Sequence, residues 1–211
     1  MNITLFGAHG TLGRRIAQEA LTRGHHVTAI ARDPAKVDLA HENLTVATGD
    51  VLDPTSVAAV TAGAEVVISA VGPGPAGNVQ MVVDAAHSLI EGVRRSGAPR
   101  LLAVGGAGGL EAAPGLRLVD APSFPEAWKG IALAQIDAYE VYRASDINWT
   151  YAAPSALITP GERTGSYRVS ADQLVADAEG QSKISCEDFA VAILDELETP
   201  KFERGRFTAG Y

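Results

Sequence analysis

The first 32 residues, MNITLFGAHGTLGRRIAQEALTRGHHVTAIAR (Met1–Arg32), decide the fold. An apolar run, Ile3, Leu5 and Phe6, breaks into GAHGTLG at Gly7–Gly13. The apolar residues Leu12, Ile16, Ala20 and Leu21 then recur at helical spacing, with Arg14, Arg15, Gln18, Glu19 and Arg23 on the opposite face. In Gly-x-x-Gly-x-x-Gly each glycine has its own task. Gly7 permits the sharp turn from strand to helix, Gly10 lets backbone approach a pyrophosphate, and Gly13 lets the helix pack close on the strand. The start of that helix offers unpaired N–H groups to phosphates. Gly24 closes the helix as a left-handed cap, and a second apolar run, Val27–Ala31, follows. Strand, glycine turn, helix and strand together are the context in which this motif signals dinucleotide binding.

The second strand ends in Ala31-Arg32-Asp33-Pro34, about where such folds carry the residue facing the adenosine ribose, ~20 residues beyond the glycines. A carboxylate there would accept from the free ribose hydroxyls of NAD. Arg32 instead pairs with a 2′-phosphate, with Arg14 and Lys36 as further positive charge, which favours NADP(H) over NAD(H). A shift of one residue at the strand end would put Asp33 at that point. His9, inside the glycine loop, either touches the pyrophosphate or faces solvent.

Downstream, strands and helices alternate, which predicts a Rossmann-like doubly wound parallel sheet. Leu44–Ala47 reads as a strand and Asp53-Pro54 as the start of a helix through Val60. Glu65–Ala70 is a continuous apolar strand, ending in the small-residue loop Val71-Gly72-Pro73-Gly74-Pro75, placed to approach the cofactor ribose and nicotinamide. Asn78 is the expected N-cap of a helix to Arg95, followed by strand Arg100–Val104 and the run Gly105-Gly106-Ala107-Gly108-Gly109. Gly109–Pro125 reads as an irregular stretch, a lid or a substrate loop, with Phe124 and Trp128 as its aromatics, either stacking on a planar substrate or packing. A helix over Ile131–Ala144 and a strand over Ile147–Ala152 lead to Pro154-Ser155-Ala156. Residues 155–211 read as a small C-terminal region covering the substrate side, with a capping box at Ser185 and Asp188, a helix Glu187–Leu197 and a last strand Arg206–Gly210.

Composition narrows the function. The 211 residues suffice for one domain, 1–211, with a core over 1–154. A net charge of −8 without a basic stripe argues against nucleic acid, and no apolar run approaches the ~20 residues of a membrane span. Cys186 is the only cysteine, and no Cys/His spacing suggests a metal site. These features predict a cytoplasmic, metal-free protein acting on a small molecule as a monomer or homodimer.

GAHGTLG, VTAIARDP, GDVLDP (Gly49–Pro54), INWTYAAPSALITPGERTG, ISCEDFAVAILDELE and the terminal RFTAGY resemble the atypical short-chain dehydrogenase/reductase family. They are similar to its small NAD(P)H-binding members, the NmrA-like and NADH-flavin reductase group that includes the biliverdin-IXβ/flavin reductases. The resemblance covers nearly the whole chain. It implies that Thr11, Leu12 and Gly13 offer backbone to the pyrophosphate, that Asp50 and Val51 flank the adenine, and that Val71 and Gly72 lie by the ribose. It places Pro154, Ser155 and Ala156 against the nicotinamide amide, and Gly105 is counted with the cofactor-binding residues. The chain departs from the family at the acid–base pair: Ile131 stands where the tyrosine of Tyr-x-x-x-Lys would be, Gln135 where the lysine would be, and Gly105 and Gly106 where a serine is often found. No catalytic side chain is assigned.

Transfer of a hydride to an isolated ketone needs a positioned proton donor. A flavin or quinone spreads the incoming charge over a planar ring and takes its proton from water. The sequence therefore points to an NADPH-dependent reductase of a flavin or quinone-like acceptor. The alternatives are an NADP(H)-binding redox sensor of the NmrA-like type and a reductase or isomerase of a biosynthetic pathway.

Overall fold

Asn2–Phe6 forms β1, and Gly7, at φ +86°, turns the chain toward α1, Thr11–Thr22. A Cβ at Gly7 would lie 2.5 Å from the Ala70 carbonyl oxygen, and one at Gly13 would lie 2.1 Å from that of Gly7. Backbone meets backbone at both places, so only glycine fits. The computed structural model describes residues 1–74 and 77–211, so Pro75, the last residue of the expected Val71–Pro75 loop, lies outside the described residues. Its elements continue with β2 (His26–Ala31), β3 (Leu44–Thr48), α2 (Pro54–Thr61), β4 (Val66–Ser69), α3 (Met81–Ser96) and β5 (Leu101–Val104). They end with β6 (Glu111–Ala113), β7 (Leu116–Arg117), α4 (Glu126–Arg143), β8 (Trp149–Pro154), β9 (Leu157–Thr159), β10 (Arg168–Ser170), β11 (Lys183–Ser185), α5 (Cys186–Glu198) and β12 (Gly205–Gly210).

The central sheet runs β10-β12-β8-β5-β4-β1-β2-β3, parallel from β12 to β3, with β10 antiparallel at one edge. Alternate residues of its strands supply two cores. Ile3, Leu5, Ile68, Leu102 and Phe207 bury against α1 and α5, whereas Phe6, Val67, Leu101, Trp149 and Tyr151 bury on the other side, against α2, α3 and α4. This is the doubly wound α/β arrangement, and its strand order reverses direction at β1, where such sheets open a crevice at the carboxyl ends of the strands.

Three expectations change. Asn78 does not cap α3: its Oδ1 accepts from the Gln80 N–H at 3.0 Å, a local turn, and the helix starts only at Met81, because Gln80 is already in helical conformation without a side-chain cap. α4 begins at Glu126, after an extended Pro125, so Trp128 sits in its first turn and not in a lid; the stretch before it holds the β6–β7 hairpin. Nor is 155–211 merely a cover. α5 fills one helical layer, and β12 adds to the sheet beside β8, because Phe207 and Ala209 complete the apolar face under α1 and α5.

The fully buried carboxylate of Asp188 fastens this C-terminal segment. It accepts from the Thr164 hydroxyl at 2.6 Å, the Gly165 N–H at 2.8 Å and the Tyr211 hydroxyl at 2.8 Å, while its own N–H donates to Ser185 Oγ at 2.9 Å in the expected cap. Burial alone would raise its carboxyl, but these donors outweigh it and hold it below the usual carboxylate range. A carboxylate lowered in the folded state contributes stability that is complete above its unfolded pKa of about 3.9 and is lost as pH falls through the folded value. Asp188→Asn should therefore lower Tm at neutral pH and flatten the fall of Tm on acidification. An acid limb parallel to that of the unaltered protein would show that another carboxylate carries it.

Candidate functional site

A cleft of about 340 Å³ opens at the carboxyl ends of β1, β2, β3 and β4. Its walls contain the expected Gly7, His9, Gly10, Arg32, Asp50, Val51, Val71 and Gly72. The structure thus brings the glycine loop, the end of β2 and the loops after β3 and β4 to one place. Leu52 and Met81 also line it and were not foreseen. Leu52, a large apolar side chain 42% exposed at the cleft, was the one signal available, and it becomes visible only once the chain is folded.

The residues fit a dinucleotide. α1 has no side-chain N-cap and no acidic residue in its first turn. Among the described residues the N–H groups of Thr11, Leu12 and Gly13 have no backbone or side-chain acceptor, the first helical bond being Arg14 N–H to Gly10 O at 2.9 Å. Unpaired N–H groups at the positive end of a helix suit a phosphate. Gly10 adds a separate observation. Its backbone is ordinary, and a Cβ there would meet nothing closer than 3.4 Å, so packing within the protein does not demand glycine, whereas close approach of a ligand would.

At the end of β2 the two candidate residues separate. Arg32 lines the cleft, exposed, and makes no hydrogen bond or ion pair among the described residues. Asp33 is turned away, its Oδ1 accepting from the Ala35 N–H at 3.2 Å to cap a short 3₁₀ turn. Arg14 pairs with Asp38 at 3.5 Å outside the cleft walls, and Lys36 is exposed on the 3₁₀ turn. Asp50 orders its own turn, with Oδ1 accepting from Leu52 N–H at 3.0 Å and its N–H donating to Ser56 Oγ at 2.9 Å.

The remaining expected residues lie at the ends of the next strands, β5 and β8, outside the walls of the cleft. Pro154 is buried at the end of β8 and Ala156 is exposed. Ser155 is only 1% exposed, and its hydroxyl donates to the Ala209 carbonyl at 2.7 Å, so it binds β12 to β8 and cannot offer that hydroxyl to a nicotinamide. No local pattern reports this bond, because β12 joins this part of the sheet from about 50 residues downstream. Phe124 is half-buried before α4, while Trp128 is 54% exposed on the helix.

The deciding likeness is of the whole chain. Residues 7–200 match the model of the NAD(P)H-binding family. The chain belongs to that family. Solved members and relatives share its full extent: a protein of Burkholderia pseudomallei provisionally named as exported is 47% identical, with 100% of both chains covered and a TM-score of 0.92. A provisionally named epimerase of Bacteroides thetaiotaomicron is 40% identical over 100% of this chain and 96% of its own, with a TM-score of 0.91. A provisionally named NADH-flavin reductase of Streptococcus pneumoniae is 29% identical over 100% and 99%, with a TM-score of 0.88. No helix among the described residues is long and apolar enough to cross a membrane.

Within this NAD(P)H-binding chain, the residues just beyond β5 and β8, Gly105, Gly106, Ser155 and Ala156, include no acid or base. Tyr151, fully buried, has its phenol pushed well above the usual value by burial, and Tyr139 is raised for the same reason despite the nearby Arg206 guanidinium. Arg206 stacks over the Tyr139 ring, 4.7 Å from its centre, and is tied to Asp172 and to the Gly109 carbonyl. Among the described residues no lysine ammonium pairs with either phenol. Cys186, at the start of α5, is buried, and burial raises its thiol, which makes it a packing residue.

Proposed function

We propose that the protein is an NADPH-dependent reductase that passes a hydride to a flavin or a quinone-like planar acceptor. One observation carries the reading: at the ends of β5 and β8 the residues present are Gly105, Gly106, Gln135 and two tyrosines whose pKa values are raised. None of them is a proton donor poised near neutral pH. A bound nicotinamide would supply two electrons and a hydrogen as hydride, and water the proton that completes the hydroquinone or dihydroflavin. What this chain contributes is a phosphate-binding helix start, a cleft that orients the cofactor, and an apolar side chain, Val71, on its wall. The name of the Streptococcus relative agrees with this reading.

Steady-state turnover with NADPH tests it. FMN or menadione should be reduced, a simple aldehyde should not, and Tyr139→Phe should change kcat with menadione by less than about tenfold, where loss of a general acid would cost on the order of 10²–10⁴. Brisk aldehyde reduction, or a hundredfold loss in Tyr139→Phe with NADPH affinity intact, would show an acid at work. NADPH binding without turnover of any acceptor would make the protein a redox sensor.

A further inference from the structure

The structure supplies, from another strand, the hydroxyl that position 105 lacks. A Cβ built on Gly105 would lie 2.0 Å from the Tyr151 hydroxyl and 1.9 Å from its Cζ. The phenol of Tyr151, reaching across from β8, therefore fills the space a side chain at the end of β5 would occupy. Its O–H points at Gln135, 2.9 Å from both the backbone oxygen and Oε1. The ring has little freedom, since Tyr139 packs against it with centres 5.1 Å apart and Tyr142 with centres 6.1 Å apart.

In the arrangement in which the phenol's single proton goes to Oε1 and not to the equally near backbone oxygen, Nε2 is the end of the Gln135 amide left over. That nitrogen has no hydrogen-bond partner among the described residues, yet it is not one of the buried unpaired atoms, so it reaches solvent. Gly106 borders it: a Cβ there would come within 3.4 Å of Gln135 Cγ, and glycine leaves that flank open. Val71 lines both the dinucleotide cleft and the small cavity bounded by Gln135 and Tyr151, which puts the amide just past the cleft in the direction of β5. A dinucleotide whose adenosine end lies by Arg32 extends along the strand ends in that direction.

We infer that Gln135 Nε2 is the hydrogen-bond donor to the ring oxygen of the acceptor, and that Tyr151 is the residue that positions it. The inference deepens the reductase reading and rests on it. As the hydride reaches the acceptor, electron density gathers on its carbonyl oxygen. A neutral amide N–H stabilises that oxygen without giving up its proton, which still comes from water. An acceptor with a carbonyl conjugated to the reducible ring is thereby preferred.

The experiment measures binding of FMN and of menadione to the protein saturated with NADP⁺, by calorimetry, alongside steady-state kinetics with NADPH. Gln135→Ala should raise acceptor Kd by about three- to tenfold, the worth of one hydrogen bond, and lower kcat/KM by more than that, because the bond strengthens as charge gathers on the oxygen, with NADPH affinity unaltered. Tyr151→Phe should do the same to a smaller degree, and the double variant should be no worse than Gln135→Ala, because Tyr151 acts through Gln135. Gln135→Glu, which keeps the shape, should bind acceptor normally at low pH and lose it as the carboxyl ionises. Unchanged acceptor affinity in Gln135→Ala, or effects of the two single variants that multiply, would overturn the inference. Unaltered protein that binds both acceptors but reduces neither would overturn the reductase reading alone, the binding series still deciding the role of Gln135. Protein that binds neither acceptor would overturn both.

Discussion

Arg32→Ala is expected to weaken NADPH binding by about 1.5–3 kcal/mol, on the order of ten- to a hundredfold, and to leave NADH affinity almost unchanged. The asymmetry follows from the geometry at the end of β2. Arg32 stands on the cleft wall with its guanidinium unpaired among the described residues, so a 2′-phosphate gains a charge-assisted contact without displacing a partner there. The neighbouring carboxylate that would repel that phosphate is occupied in capping, at 3.2 Å from the Ala35 N–H. Affinities of both cofactors for both proteins, measured at one ionic strength, are the check, since an exposed charge contact is screened by salt. Equal losses for NADPH and NADH, or none, would remove Arg32 as the reader of the phosphate. A converse variant, Arg32→Asp, should move the preference toward NADH.

The largest effect on stability is expected at the other end of the sheet. Arg100 and Glu196 are 6% and 5% exposed and meet at 2.7 Å, with Arg100 also donating to the Glu196 carbonyl at 3.2 Å and to Thr150 Oγ1 at 3.0 Å. Glu196 in turn accepts from the N–H groups of Lys201 at 2.9 Å and Phe202 at 3.0 Å, which shape the turn from α5 into β12. Glu196→Ala leaves a buried guanidinium without its counter-charge and two part-buried N–H groups without their acceptor. A loss of about 3–5 kcal/mol is expected from a broken buried pair. For a chain of this size that lowers Tm by roughly 6–20 °C. Glu196→Gln, which keeps the acceptor for the turn, should lose distinctly less. Because the pair lies at the amino ends of β5 and β8, away from the cleft, NADPH affinity of the folded variant should be unchanged. A loss of Tm under about 2 °C would mean that water or local movement satisfies Arg100; Arg100 Nε already lacks a partner.

The sequence by itself determined the parallel sheet, the glycine turn and the residues that line the cleft at the end of β2. Those features are local: glycines three apart, apolar residues at a period of two or 3.6, and an arginine at a strand end are readable because each depends on neighbours a few residues away. Gly7 and Gly13 are required by backbone contacts of the kind the motif encodes. The tertiary structure decided what depends on segments far apart in the chain. Whether Arg32 or Asp33 faces the cleft turned on a capping bond at Ala35, and the loss of Ser155 to Ala209 on a strand 54 residues away. That Gly105 leaves its space to a phenol from β8, and that Arg100 finds its counter-charge 96 residues later, follows from which strands the two cores bring together. No periodicity reports such meetings, because a side chain's partner across a sheet is set by packing and register, and the local pattern of residues says only which face it is on.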